Sequence, residues 1–143
     1  MSGSDLDLVV EQYHRALDAI VRGDSGLQKK MFSGRDDVSL ANPIGPPVRG
    51  RSAVEQTMDR AVSQLREGEP TTFERISEYT GTELAYIVEI ERTQAKVGGA
   101  DELSRISLRV TTIFRLEDGH WKVIHRHADP ITSPRPIGSI VQV

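Results

Sequence analysis

The 143-residue sequence contains no cysteine, and this absence excludes several kinds of site at once. Disulfides, thiolate nucleophiles and cysteine-based zinc or iron–sulfur sites are ruled out, and the composition suits a reducing compartment. No apolar run approaches the roughly 18 residues that a membrane-spanning helix needs, and the opening residues lack the pattern of a signal peptide. We therefore expect a cytoplasmic protein with no membrane partner.

An excess of positive charge is also missing. The chain has 18 basic and 21 acidic residues, scattered among one another, and a formal net charge of −3. Nucleic-acid binding needs a basic surface, so we expect no nucleic-acid partner. The length predicts one domain over 1–143.

Apolar residues repeat at helical spacing in three segments of the first half. The first segment covers 5–22 and includes Tyr13 in its apolar stripe. A second, short helix is predicted from Ser25 to Phe32. The third begins at the S-x-x-E sequence of 52–55, which is typical of a capping box, and extends to Gly68.

The second half has the alternating pattern of strands. They are predicted at about 72–79, 84–95, 104–117 and 120–129. A short strand from Val38 to Asn42 precedes the third helix and directs Asn42 toward the interior. Helices followed by a meander of strands favour an α+β fold, with an antiparallel sheet and the helices on one face.

Alternation also predicts which side chains face the interior. On the 104–117 strand, Thr112 is the polar member of an otherwise apolar row, so it is either a pocket hydroxyl or a β-branched filler. On the 84–95 strand, the apolar residues predict that Tyr86 faces in. Glu89 and Glu91 are then expected to face out, where arginines of the next strand can pair with them.

The last strand allows two functions for its histidines. His125 and His127 lie on one face about 7 Å apart, a spacing compatible with one metal. The third ligand that a metal requires could come from His14 or Asp129, but the surrounding residues lack the glutamate and glycine pattern of metal-binding β-barrels. With Asp129 they could instead form a dyad for general-base chemistry. We predict no metal and no cofactor.

A third interpretation places these histidines in an outer row with Trp121 and Val123, packed at a dimer interface. Arg126 then faces the cavity. A guanidinium in an apolar interior needs a partner, which could be a ligand carboxylate, a backbone carbonyl or a buried acid.

The order of these features resembles a known family. A helix carrying Tyr13, a strand ending in Asn42 and Pro43, and a final strand from His120 resemble the SnoaL-like and ketosteroid isomerase-like families of the nuclear transport factor 2-like superfamily. The final strand is also similar to that of the calcium/calmodulin-dependent kinase association domain. The resemblance implies a cystatin-like roll, in which a cone-shaped curved sheet and three N-terminal helices enclose a pocket. It covers about 6–130, which implies a core over these residues and a tail over 131–143. It also implies a homodimer through the convex face.

The resemblance carries over three residues of the isomerase site. In that enzyme an aspartate is the general base, and a tyrosine and a neutral aspartic acid stabilise the oxyanion. Tyr13 falls on the tyrosine position, Asn42 on the base and Thr112 near the second aspartate. An amide cannot accept a proton at neutral pH, so Asn42 could orient a ligand carbonyl but could not act as the base.

Two functions remain open at this point. The first is the binding of a small hydrophobic, carbonyl-containing compound in the cone, with or without isomerase, cyclase, dehydratase or hydrolase activity. The predicted pocket residues are Tyr13, Asn42, Tyr86, Thr112 and Arg126. The second is a non-catalytic module that binds a ligand or forms homo-oligomers.

Overall fold

The computed structural model describes residues 3–142, and its three helices lie in the first half of the chain. Helix α1 covers Gly3–Ile20, and its buried side chains follow the predicted stripe. It ends where Gly23 takes the left-handed conformation, with φ at 94°, as a helix C-terminal glycine commonly does. Within the described residues, no helix has the length and apolarity required to span a bilayer.

The second and third helices are shorter than predicted. Helix α2 covers Gly26–Met31 and helix α3 covers Arg51–Val62. The predicted capping box is wrong, because Ser52 lies inside α3 and the side chain of Asp36 instead accepts a 2.9 Å hydrogen bond from the Arg51 N–H. The guanidinium of Arg51 in turn donates to three carbonyls at the end of α2, which ties the two helices together.

Seven strands follow or separate these helices. Their bounds are β1 Ser39–Ala41, β2 Val48–Arg49, β3 Leu65–Arg66, β4 Thr72–Thr80, β5 Leu84–Val97, β6 Ser104–Glu117 and β7 His120–Asp129. The four long strands agree closely with the predicted segments. The two-residue strands β2 and β3 have no sequence pattern of their own, and β3 replaces the predicted last turn of α3.

The strands form one strongly curled sheet, a half-barrel that the helices cover. Its order is β2-β1-β7-β6-β5, and both β3 and β4 pair with β5. All pairs are antiparallel except β1 with β7, so the sheet is mixed. The predicted α+β cone with three helices is confirmed.

A β-bulge in β7 decides which side chains of that strand face the core. Phe114 pairs with Val123 but Ile113 pairs with His125, so Ile124 is an extra residue. Trp121 and Val123 are therefore buried on the same side as Arg126, which lies beyond the bulge. The predicted outer row containing Trp121 and Val123 is wrong for these two residues.

The hydrophobic core lies between α1 and the inner face of β5, β6 and β7. Tyr13 and Phe114 are both 0% exposed, and their rings meet edge to face with centroids 6.1 Å apart. Beyond β7, the described part of the tail contains a 3-10 helix at Ile137–Ile140 whose side chains are exposed.

Candidate functional site

The half-barrel and the helices enclose a cavity of about 280 Å³. Aliphatic side chains from α1, α3, β5 and β6 form most of its wall, among them Leu17, Met58 and Leu108. The polar positions on the wall come from α2, from the loop after β1, from the segments on either side of β3, and from the inner faces of β5 and β7. The curvature of the sheet and the three helices thus leave a space in the interior that side chains do not fill.

A buried ion pair crosses one wall of this cavity. Arg126 on β7 donates two hydrogen bonds of 2.9 Å to the carboxylate oxygens of Glu91 on β5. The two side chains are only 7% and 8% exposed. Burial alone would lower the pKa of Arg126, but the Glu91 carboxylate and the nearby Tyr13 phenol outweigh burial and raise it. The guanidinium therefore stays charged.

Glu91 is in the cavity because the inner face of β5 is the opposite of the predicted one. Its cross-strand partner is Leu108, which belongs to the inner row of β6, and directly opposed residues share a face. The expectation that Tyr86 faces in is wrong. Tyr86 is 37% exposed on the outer face, where its ring stacks with that of Tyr79.

Tyr13 lies behind the cavity wall and does not line it. Its hydroxyl makes no hydrogen bond of good geometry with the described residues, but Gln28 and Arg126 are close enough to influence its ionisation. Burial raises the pKa of the Tyr13 phenol, and the positive charge of Arg126 offsets only part of that effect. Tyr13 is therefore a neutral group at physiological pH. The phenol is a polar neighbour of the Arg126 guanidinium, but only the guanidinium reaches the cavity.

The other predicted pocket residues are placed differently. Asn42 lines the cavity just after β1, and its carbonyl accepts a long hydrogen bond from the Gly45 N–H in a turn. Thr112 is 1% exposed and lies between Ile87 and Arg126 on the inner face of the sheet, but it does not line the cavity. The structure thus brings Asn42 and Arg126 to one cavity and leaves Thr112 in the core.

A hydroxyl that the sequence analysis did not single out also lines the cavity. The Thr71 Oγ1 atom is buried and has no hydrogen-bond partner among the residues that the structure describes. Its backbone N–H donates to Asp18 of α1 over 2.7 Å, which fixes the position of the residue. Thr71 reaches the cavity because of the course of the chain between α3 and β4, which has no periodic pattern in the sequence. The sequence therefore does not predict a pocket position for it.

The histidines of β7 lie on the outer face, away from the cavity. Ser39 Oγ is 2.7 Å from the Nδ1 atom of His125, while His127 Nε2 is 3.2 Å from an oxygen of Asp129. Arg109 also binds that carboxylate with bonds of 2.9 to 3.1 Å. Burial lowers the pKa of His125, and the neighbouring His127 adds to the effect. The predicted dyad therefore has its His127–Asp129 contact, but these two residues do not line the cavity described above.

A second buried carboxylate has a structural role. Glu89 is 3% exposed and contacts both His14 of α1, at 2.7 Å, and Arg75 of β4, at 3.0 Å. Burial alone would raise the pKa of Glu89, but these two partners together lower it. Within residues 3–142, no group of three histidine, aspartate or glutamate side chains is arranged to hold a metal ion.

With this geometry in place, comparison with known proteins identifies the family. The model of the SnoaL-like domain family matches residues 9–132. The chain belongs to the SnoaL-like family. No curated protein sequence matches it significantly.

Solved structures share the fold of this SnoaL-like domain at low sequence identity. A ketosteroid isomerase-like protein from Erwinia carotovora atroseptica has a TM-score of 0.75 at 13% identity, over 92% of this chain and 96% of its own. A nuclear transport factor 2-like superfamily protein from Salmonella enterica has a TM-score of 0.74 at 15% identity, over 94% of each chain. A candidate calcium/calmodulin-dependent protein kinase type II association domain from Thiobacillus denitrificans has a TM-score of 0.73 at 16% identity, over 88% and 94%. These likenesses concern the fold.

Proposed function

We propose that the cavity of this SnoaL-like domain binds a small hydrophobic compound that carries a carbonyl oxygen. The volume of about 280 Å³ is close to the lower end of the range of roughly 300 to 1,000 Å³ for small-molecule sites. Aliphatic walls with a few fixed polar groups are also typical of such sites. SnoaL-like domains are in general ligand-binding or isomerase- and dehydratase-type domains, which agrees with this proposal.

The observation that carries the proposal is the hydroxyl of Thr71. A buried polar group without a partner costs roughly 1 to 3 kcal/mol, which a hydrogen bond to a ligand offsets. The Thr71 Oγ1 atom is such a group, and it lies on the cavity wall. The amide of Asn42, which lines the same cavity, is a second possible donor to a carbonyl oxygen. A ketone therefore fits this wall better than a hydrocarbon of the same shape.

A cavity-filling variant tests the proposal by calorimetry. We expect the wild-type protein to bind tetralone more tightly than tetralin, which has the same ring system without the carbonyl. Ala61→Leu adds volume to a residue of α3 that lines the cavity, and it should abolish binding. Ala53→Leu is the matched control, because Ala53 is half-buried in the same helix but outside the cavity. If tetralone binds both leucine variants equally well, its site is not this cavity.

Thr71→Val tests the polar part of the same proposal. Valine keeps the shape of threonine but lacks the hydroxyl, so the variant should lose roughly tenfold in affinity for tetralone and keep its affinity for tetralin. Unchanged selectivity would contradict a carbonyl contact at this position.

The catalytic form of the proposal depends on Glu91. Asn42 cannot accept a proton, and Glu91 is the carboxylate on the cavity wall within the described residues. An isomerase, cyclase or dehydratase of this kind would use Glu91 to remove a proton next to the carbonyl. Such activity would speed the loss of deuterium from tetralone labelled at that carbon. If the protein exchanges the label no faster than buffer does, Glu91 is not a base for this compound and the cavity only binds it.

As a second function, we propose that the convex face forms a homodimer. One row of cross-strand neighbours, Tyr79, Tyr86, Ile113 and His125, crosses four strands of this face. Tyr79 is 56% exposed, and its ring stacks with that of Tyr86 at a centroid distance of 5.9 Å. Aromatic side chains with both apolar and polar parts are enriched at protein interfaces.

Sedimentation velocity tests this second proposal. The wild-type protein should sediment as a dimer, and Tyr86→Lys should convert it to a monomer, because a lysine at the centre of an apolar interface is unpaired. Leu8→Lys is the control, since Leu8 is an exposed apolar residue of α1 at 59% exposure. A wild-type monomer at micromolar concentration would refute the dimer.

A further inference from the structure

We propose that the Glu91–Arg126 pair makes the cavity selective for neutral ligands and excludes carboxylates. This inference rests on the proposed function, because it names the class of compound that the cavity accepts. It assigns Glu91 as a residue that determines specificity. Without Glu91, an arginine on an apolar wall would attract anions. With Glu91 in place, the same wall rejects them.

The charges on the cavity wall support this proposal. Among the described residues that line the cavity, Glu91 and Arg126 alone carry a charge, and these charges cancel. The remaining polar side chains on the wall are amides and threonine hydroxyls, which are neutral. A bound anion would therefore have no unpaired positive charge in the wall to balance it.

The geometry of the pair also occupies the edge of the guanidinium that its two terminal nitrogens form. Arginine binds a carboxylate through two parallel N–H bonds from one edge of its guanidinium. Glu91 already occupies such an edge of Arg126, with a bond of 2.9 Å from each terminal nitrogen. Both side chains are more than nine-tenths buried, so neither can turn to solvent without opening the wall.

A ligand carboxylate at this wall would lose its hydration without gaining an unpaired cation as a partner, because Glu91 already neutralises Arg126. Burying a charge without a partner is costly. Carbonyl and amide oxygens avoid this cost because they accept hydrogen bonds without a net charge. We therefore expect the wild-type cavity to bind an anion at least about 100-fold more weakly than a neutral compound of the same shape.

Two other arginines lie near the cavity but outside it. Arg92 and Arg105 line a separate, open depression that shares Thr93 and Ile106 with the cavity wall. Arg92 is already paired with Glu74 at 2.9 Å. Anions attracted to this surface would not report on the cavity, so the test has to measure competition with a ligand inside it.

The experiment compares naphthamide with naphthoate as competitors of bound tetralone. The two competitors have nearly the same shape and differ in charge. In the wild-type protein naphthamide should displace tetralone, and naphthoate should need at least about 100-fold higher concentration. In Glu91→Gln, which keeps the side-chain shape and frees the charge of Arg126, naphthoate should gain at least about tenfold relative to naphthamide.

A double variant provides the control. Glu91→Gln combined with Arg126→Gln removes both charges, so naphthoate should not gain there. A gain equal to that of the single variant would overturn the inference, as would equal displacement by both competitors in the wild-type protein. This wild-type comparison needs no variant, so it decides the question even if Glu91→Gln does not fold.

Failure of the proposed function gives a different result from failure of this inference. If tetralone and naphthamide do not bind the wild-type protein at all, the cavity is not a ligand site and both proposals fall. If tetralone binds and naphthoate displaces it as well as naphthamide does, the ligand site stands and the selectivity is refuted.

Discussion

Removing one member of the Glu91–Arg126 pair should destabilise the fold far more than removing both. Arg126→Met keeps an unbranched side chain in the wall but leaves the Glu91 carboxylate buried at 8% exposure without its partner. Breaking a buried pair in this way costs about 3 to 5 kcal/mol. This is a large part of the roughly 5 to 15 kcal/mol that stabilises a typical domain.

Replacing both residues has a different expected outcome. Arg126→Met combined with Glu91→Leu exchanges the pair for apolar side chains, and such exchanges are often neutral or stabilising by about 1 to 4 kcal/mol. The double variant should therefore be at least as stable as the single variant and close to the wild type. The coupling between the two positions, from a complete cycle with Glu91→Leu, should be several kcal/mol, as for contacting groups in one network.

Urea unfolding followed by circular dichroism measures these differences. With a slope of about 2 kcal/mol per molar, a loss of about 4 kcal/mol lowers the midpoint for Arg126→Met by about 2 M. The slope itself should not change, which would show that the native state remains compact. A single variant that loses less than about 1 kcal/mol, or a double variant that loses the sum of both singles, would refute a buried and coupled pair.

Three further predictions concern a close backbone contact, a titrating carboxylate and a buried phenol. Gly68→Ala should lower the free energy of unfolding in urea by about 1 to 3 kcal/mol, because the added Cβ would lie 2.6 Å from the carbonyl oxygen of Val21. Gly99→Ala is the control, since a Cβ there has nothing within 4 Å, and it should change stability by less than about 0.5 kcal/mol. The pKa of Glu89 is lowered in the folded state, so its contribution to stability is present above the ordinary value of 4.5 and is lost as the pH falls through the lower folded value. Glu89→Gln should therefore lose less stability than the wild type over that acid range, and identical pH profiles of the unfolding free energy would contradict this. Burial raises the pKa of Tyr13 above its ordinary value of 10.0, so an ultraviolet pH titration of the wild type minus Tyr13→Phe should have its midpoint above that pH while the protein stays folded. A midpoint at or below the ordinary value would show an accessible phenol.

The sequence predicts the buried face of a strand correctly when the alternation of apolar and polar residues within that strand is enough to decide it. On β6 the inner row is apolar apart from Thr112, and the structure buries Val110, Thr112 and Phe114 as predicted. Burial of the side chains on one face produces this alternation, so the sequence is enough for such a strand.

The β5 strand shows where this reasoning fails. Its apolar residues at 86, 88 and 90 predicted an inner row, but the inner row contains Glu89 and Glu91. These carboxylates are stable in the interior because Arg75, His14 and Arg126 reach them from other elements. The pattern of one strand does not record partners that are distant in sequence. The register with β6 is the information that was missing.

The candidate site was predicted in part for the same reason. Asn42 and Arg126 have the predicted inward positions, since each lies in a row with buried neighbours. Thr71 could not be predicted, because it belongs to a segment without periodicity whose path depends on the packing of α1. The functional assignments of all these residues stay predictions until ligands are tested.

The bulge at Ile124 has a consequence for comparing this chain with its relatives. A bulge adds one residue to a strand without moving the ends of its neighbours, so a relative lacking it would align with a one-residue gap within β7. If the gap is omitted or misplaced, each residue of β7 after the bulge is matched with a residue on the opposite surface of the sheet. The inward guanidinium of Arg126 would then be aligned with the outward imidazole of a neighbouring histidine. Insertions and deletions at this strand therefore have to be resolved before any residue is matched to an enzyme of known mechanism.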